Sequence, residues 1–333
     1  MFIIAEAGVN HNGDLSLALK LVDEAKAAGA NAVKFQTFVA ENMISAGAEK
    51  ADYQKLSTGE QESQLEMVKR LELSFADFRT IHEHCRTREI LFLSTPFDFE
   101  SVDFLHELRM PAFKISSGDL TNHPLLQFVA SKGNPVILST GMSDLSEVEE
   151  AVRALRSAGN NQMALLQCVT NYPADPVDVN LRAMKTLADT FEAPVGYSDH
   201  TLGIEVVMAA VALGATIIEK HFTLDRQLPG PDQAASLEPA ELRAMVDGVR
   251  KVEAALGDGV KRPASSEAAN AMVARRSLVA ARDIPAGEVL ASNAVTFKRP
   301  GTGLPPKMLS EVVGKTTLRN ISAGELLRIE MFE

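Results

Sequence analysis

Residues 196–232 read GYSDHTLGIEVVMAAVALGATIIEKHFTLDRQLPGPD and hold a strand–helix–strand repeat. Two apolar runs, Pro194–Tyr197 and Thr216–Ile218, flank a helix-like segment, Leu202–Leu213. Each run ends in polar residues: Ser198-Asp199-His200 after the first, Glu219-Lys220-His221 after the second. If the runs are neighbouring parallel strands joined through the helix, both histidines stand at the same carboxyl edge of a sheet. Two imidazoles with Asp199, Glu219 and Asp232 nearby make a candidate divalent-metal site. A lone histidine is more often a satisfied core residue. The pair at matching strand ends argues for a ligand role.

The same rhythm occurs eight times. The apolar runs are Phe2–Ala5, Ala32–Phe35, Ile90–Leu93, Ala112–Ile115, Pro135–Leu138, Ala164–Gln167, Pro194–Tyr197 and Thr216–Ile218. Helical segments such as Leu15–Ala28, Phe75–Thr87, Leu145–Ser157 and Pro239–Leu256 separate or follow them. In the first, Leu17, Leu21, Ala25 and Ala28 mark an apolar face at three- and four-residue steps. Eight repeats with nearly continuous apolar strands predict a closed (β/α)8 barrel of the TIM type. An open doubly wound sheet normally has fewer strands and a GxGxxG loop after the first; here that loop reads GVNHNG.

Two regions break the rhythm. Val39–Arg70 is a long polar insertion after the second strand, at the barrel face where active sites lie, and is expected to be a lid with some helix of its own. After Gly257 the character changes. A linker over residues 258–275, opening on DGVKRPASSEAAN, leads to short β-like pieces at Arg276–Ala280, Val289–Leu290, Val295–Lys298 and Leu327–Ile329. The division expected is a barrel over 1–257, the linker, and a small β domain over 276–333. A domain of roughly 60 residues is only marginally able to stand alone, so it is expected to dock on its own barrel or a partner's.

The chain has 333 residues, 33 Lys and Arg against 44 Asp and Glu, and a net charge of −11. That balance argues against nucleic-acid and anionic-membrane partners, since neither attracts an acidic surface. A small anionic substrate needs only a local basic pocket. Cys85 and Cys168 form no CxxC pair and no disulfide framework, which suits a reducing cytoplasm. The N-terminal run breaks at Glu6 and lacks a basic flank, so it is expected to be a first strand and not a signal peptide. No stretch approaches the roughly 20 apolar residues that span a bilayer.

Barrel enzymes gather their chemistry at the carboxyl ends of the strands. Those positions hold Glu6, then Lys34 and Gln36, Ser94-Thr95-Pro96, Lys114 with Ser116-Ser117-Gly118, Ser139-Thr140-Gly141, Thr170-Asn171-Tyr172, Ser198 and the two histidine clusters. Each serine taken singly is better explained by a turn or a helix cap. A lysine inside an apolar strand is harder to dismiss, because a buried ammonium without a partner is costly. Lys34 in AVKFQ and Lys114 in FKISS are so placed, and Glu6 is their acidic counterpart. Lysines, hydroxyls and glycine backbone together suit a phosphate. The barrel mouth is therefore expected to take a phosphorylated anion and a divalent cation.

The segments IAEAGVNHNG, AVKFQTF, STPFD, FKISSGDLTNHPLL, ILSTGM, GYSDHT and EKHFT…PGPD resemble, in order and spacing, the N-acetylneuraminate (sialic acid) synthase family, which includes legionaminic and pseudaminic acid synthases. KRPGTG resembles the antifreeze-like (SAF, β-clip) domain of that family. The resemblance spans essentially the whole chain. It implies an enzyme that condenses phosphoenolpyruvate with an open-chain N-acylated amino sugar and water, releasing phosphate. It implies that His200 and His221 bind Mn²⁺, or Mg²⁺ or Co²⁺, and that the metal polarises the aldehyde. Lys34, Thr95, Lys114, Ser117, Ser139 and Ser198 match positions that hold phosphoenolpyruvate. Glu6 and Glu219 match acidic positions beside the reacting carbons, with Glu6 the candidate for handling the water or a sugar proton. Gln36, Tyr172 and Asp232 would face the sugar. Arg299 matches a residue inserted into the other subunit's barrel of a domain-swapped homodimer. One departure stands out: CVTNYP places Thr170 where the family's asparagine aligns and Asn171 one later, so both are candidates for the phosphate.

The activity expected first is N-acetylneuraminate synthesis from N-acetylmannosamine. The alternative is N,N'-diacetyllegionaminate or pseudaminate synthesis from a 2,4-diacetamido-2,4,6-trideoxy hexose. These sugars differ around carbons 4 and 6, and those contacts are expected in Val39–Arg70. A pyruvate-using metal-dependent aldolase would liberate no phosphate. A carbohydrate-binding or antifreeze-type protein would leave the strand-end polar residues unexplained.

Overall fold

The computed structural model describes residues 1–59 and 61–333, without the side chains of Tyr53, Leu56 and Ser57. Eight parallel strands form one sheet: β1 (Phe2–Gly8), β2 (Ala32–Thr37), β3 (Leu91–Pro96), β4 (Phe113–Ile115), β5 (Val136–Ser139), β6 (Met163–Cys168), β7 (Val195–Asp199) and β8 (Ile217–His221). Their order is β3-β2-β1-β8-β7-β6-β5-β4. The first strand pairs with the last, from Phe2↔Ile217 to Glu6↔His221, and β3 lies beside β4. The sheet thus curls into the expected barrel, nearly closed. Strands covered on both faces have no solvated side, which is why they read as continuous apolar runs.

Every observed strand but β4 runs one to three residues beyond its apolar run at the carboxyl end, into polar residues. Helices start where caps allow. Asp14 accepts from the Ser16 and Leu17 amides at the head of Leu15–Ala28, and Gly29 ends that helix at φ 87°, a conformation that favours glycine. The helix expected over Leu202–Leu213 is shorter, Glu205–Ala212, because the chain first bends through Gly203 at φ 74°. No described helix is long and apolar enough to cross a membrane.

The insertion after β2 contains three helices, Ala40–Met43, Asp52–Thr58 and Gln64–Leu71. Glu60, within it, lies outside the described residues. The last helix begins with a reciprocal Ser63–Glu66 capping box. Its Met67, Val68 and Leu71 bury with Val9, Phe38 and Ala40 in a small core of their own. The insertion is polar in composition but apolar on its underside.

The chain divides into two compact units, Met1–Gly257 and Asp258–Glu333. In the second, β9 (Ser277–Ala280) pairs antiparallel with β10 (Val295–Lys298) over a core that includes Leu278, Ile284, Val312, Ile321 and Leu327. The pieces expected at Val289–Leu290 and Leu327–Ile329 are isolated bridges or turns: Val289 bridges Thr316, and Ile329–Met331 is a 3-10 turn. The stretch expected as a linker also holds a short helix, Ala268–Ala274.

Candidate active site

Register alone brings the strand-end residues level. Glu6 pairs with Lys34 on one side and His221 on the other, while Ser198 is opposite Glu219 and Asp199 opposite Lys220. Side chains alternate along a strand. Ser198, His200, Glu219 and His221 therefore reach the barrel interior, and Asp199 and Lys220 are buried behind them. A cavity of about 260 Å³ occupies the carboxyl end of the barrel.

Of the residues singled out in the sequence, Glu6, Lys34, Gln36, Thr95, Lys114, Ser117, Ser139, Thr170, Tyr172, Ser198, His200, Glu219, His221 and Asp232 all line this cavity. Two do not. Asn171 is exposed and turned away, so of the two candidates in CVTNYP it is Thr170 that faces inward. Arg299 is an exposed residue of the second unit. The sequence reading missed the apolar lining from the insertion, including Met43, Met67, Val68 and Leu71. The Ser63-x-x-Glu66 cap ahead of LEMVKRL was the available signal.

The floor is a buried quartet of charges. Lys34 Nζ lies 2.7 Å from Glu6 Oε2 and donates to Thr95 Oγ1 at 3.1 Å. Lys114 Nζ lies 3.3 Å from Glu219 Oε1, which also accepts from Ser198 Oγ at 3.1 Å. The two carboxylates are not equivalent. Burial, reinforced by the nearby negative Glu219, pushes Glu6 up to about 7 against the pull of Lys34. Burial acts the same way on Glu219, but Lys114 and Lys34 outweigh it and hold that carboxyl below its usual range. Burial lowers Lys114, whereas Glu219 and Glu6 overcome burial to raise Lys34. Pairs of groups driven apart in this way are what acid–base work requires.

Hydroxyls crowd the opposite edge. Ser117 Oγ accepts from the Gly141 amide at 2.9 Å. A Cβ at residue 141 would lie 2.3 Å from Thr170 Oγ1, so only glycine fits between them. Ser139 Oγ, Thr170 Oγ1, Glu219 Oε2 and His221 Nδ1 are buried and have no hydrogen-bond partner among the described residues. Unsatisfied polar atoms concentrated around one cavity are the mark of a site completed by a ligand.

The imidazoles of His200 and His221 are 5.4 Å apart between centroids, and Tyr172 packs against both. His200 Nδ1 bonds to the Val169 carbonyl at 2.6 Å, which leaves its Nε2 for another partner. Burial, then the neighbouring His200 and Lys34, drives His221 well below the usual histidine range, which favours the neutral imidazole, whereas Cys168 and the Val169 carbonyl outweigh burial and hold His200 above it. Asp232 Oδ2 is 3.9 Å from His221 Nδ1, and burial pushes this carboxyl up to about 6. Among the described residues no three such side chains converge into a closed cage. The donor set fits an ion that takes two nitrogens from the protein and keeps its other positions open.

A profile of the NeuB family matches residues 21–261, and one of the SAF domain matches residues 275–333. The chain is 49% identical over 328 residues to the N,N'-diacetyllegionaminic acid synthase of Campylobacter jejuni, covering 98% of each. It is 48% identical to that of Legionella pneumophila, covering all of this chain and 94% of that one. With human N-acetylneuraminate-9-phosphate synthase identity falls to 37%, covering all of this chain and 92% of that one. Among solved structures, an N-acetylneuraminic acid synthetase from Leptospira borgpetersenii superposes with a TM-score of 0.71 at 41% identity, covering 81% of this chain and 89% of that one.

Proposed function

This chain belongs to the NeuB family, and on that footing we propose that it condenses phosphoenolpyruvate with a 2,4-diacetamido-2,4,6-trideoxy hexose to make a legionaminate-type sugar acid. The observation that carries the choice of sugar is the identity of 48–49% to two N,N'-diacetyllegionaminic acid synthases, against 37% to a synthase acting for N-acetylneuraminate 9-phosphate. The order of the two expectations is thereby reversed. N-acetylneuraminate synthesis is the second reading, supported by the Leptospira structure.

Lys34, Lys114, Thr95, Ser117, Ser139, Thr170 and Ser198 bind the phosphoenolpyruvate anion with two ammoniums and converging hydroxyls. Carbon-3 of the enol attacks the aldehyde carbon. Carbon-2 then becomes electron-poor and takes up water. The tetrahedral centre collapses and breaks the bond between carbon-2 and the bridging oxygen, so phosphate leaves. Glu6, tuned to about 7, takes the proton from the water. Glu219 stays ionised between the lysines and favours positive charge at carbon-2. Gln36, Tyr172 and Asp232 orient the sugar. His200 and His221 would hold Mn²⁺ or a similar dication, which supplies Lewis-acid polarisation of the aldehyde oxygen. Arg299 is assigned to a partner subunit's barrel in a swapped homodimer.

The test is product and phosphate analysis with the trideoxy diacetamido sugar and N-acetylmannosamine side by side. Preferred turnover of the first, with one phosphate per product, is expected. Preferred turnover of N-acetylmannosamine would overturn the choice of sugar, and product without phosphate would overturn the reaction.

A further inference from the structure

The cavity has two chemically opposed walls. Its floor carries the lysines, carboxylates and imidazoles described above; its roof, from the segment after β2, is Met43, Met67, Val68 and Leu71. Among the described residues, the only lysines or arginines lining it are Lys34 and Lys114, both on the floor. The insertion itself carries four cations, Lys50, Lys55, Lys69 and Arg70. None lines the cavity, and each has an acidic partner: Glu62 at 3.5 Å for Lys50 and 3.0 Å for Arg70, Glu49 at 3.4 Å for Lys55, and Glu41 for Lys69. The roof is also held in place. Its own core packs with Phe38 and Val9, the Ala40 amide donates to Glu72 at 2.8 Å, and the Val39 amide donates to Asp98 at 2.9 Å.

Resting on the proposed reaction, we infer that this roof is the specificity wall for the far end of the sugar. The aldehyde carbon must meet the enol at the charged floor, so carbons 4 to 6 reach the opposite side. There a carbon-6 methyl and the methyl of a 4-acetamido group lie against methionine and valine. The amide of Gln64, which also lines this side, matches the polar part of an acetamido group. A 6-hydroxyl would give up water for an apolar surface, and a 6-phosphate would do so with no cation from the barrel's own roof to meet it. The roof therefore selects a 6-deoxy, 4-N-acylated sugar and rejects a 6-phosphorylated one. A single apolar group in such a pocket discriminates by roughly 10- to 200-fold.

Met43 is only half-buried, so Met43→Gln and Met43→Lys are expected to fold, with calorimetric melting as the check. The measurement is kcat/KM for the trideoxy diacetamido sugar, N-acetylmannosamine and N-acetylmannosamine 6-phosphate, with the KM for phosphoenolpyruvate read alongside. Wild type is expected to favour the trideoxy sugar at least ~10-fold over N-acetylmannosamine and to reject the phosphorylated one. Met43→Gln should narrow the first ratio about tenfold, and Met43→Lys should raise use of the phosphorylated sugar, both leaving the KM for phosphoenolpyruvate within about twofold. Wild type that favours the trideoxy sugar, with ratios unmoved in both folded variants, sinks the roof inference alone. Wild type that favours either mannosamine sinks the proposed sugar and the roof inference with it.

Discussion

Lys220 is fully buried, yet it is charged and does not line the cavity. Its Nζ lies 2.6 Å from Asp199 Oδ2 and also donates to the Thr201 carbonyl. Asp199 Oδ1 accepts from the Tyr197 hydroxyl at 2.8 Å, and from the Thr201 amide and hydroxyl at 2.9 Å each. This network joins the ends of β7 and β8 one residue before each histidine. Lys220→Met removes the cation at similar length and strands a carboxylate in a dry site. Breaking a buried pair from one side costs about 3–5 kcal/mol. The three remaining donors to Asp199 put this case at the low end, about 3 kcal/mol. At roughly 2–4 °C per kcal/mol for a unit of this size, melting should fall by about 6–12 °C. The protein has no tryptophan, so differential scanning calorimetry is the suitable assay. Because the pair positions the segment that carries both imidazoles, Mn²⁺ affinity should also fall about tenfold or more. A variant melting within 2 °C of wild type would refute the claim that this pair holds the two strand ends together.

Glu6 makes two opposite pH predictions. Its folded value of about 7 exceeds the usual 4.5, so between those values the folded state holds a proton that the unfolded state has lost. The Glu6 contribution to stability therefore falls as pH rises from about 4.5 to 7. Activity that needs the ionised base should rise through pH 7, and Glu6→Gln should abolish that limb of the kcat/KM profile; an unchanged limb assigns it to another group. Chelation should remove turnover and added Mn²⁺ restore it, while His221→Ala should lower bound metal measured by elemental analysis. Full activity in chelator would contradict the metal assignment. Arg299→Ala should mainly raise the sugar KM, and mixing it with a Lys114→Ala chain should restore some activity if subunits complete each other's sites. No recovery would place the whole site within one subunit.

The barrel was legible because its cause is local. Eight apolar runs spaced by amphipathic helices have few other ways to bury themselves, and a lysine or glutamate interrupting such a run must be met by something. Strand ends were misjudged for the same reason: the apolar signal stops where the site begins, so β2, β3 and β8 extend past it to Thr37, Pro96 and His221. The pairing of Asp199 with Lys220 was invisible, since both read as parts of the polar cluster and only register sends them behind the histidines. Thr170 and Asn171 are adjacent in sequence, and only the bend after β6 decides which one faces inward. The insertion was expected to hold some helix of its own, and it holds three; its apolar underside was not legible. Its composition is polar because its outer face is wet, and its apolar underside exists only once Met67, Val68 and Leu71 pack over the mouth. Sequence by itself settled the architecture and the charged floor, because burial leaves few alternatives for apolar strands and buried charges. Tertiary structure alone decided the roof, because which side of a helix meets a ligand depends on what lies beneath it.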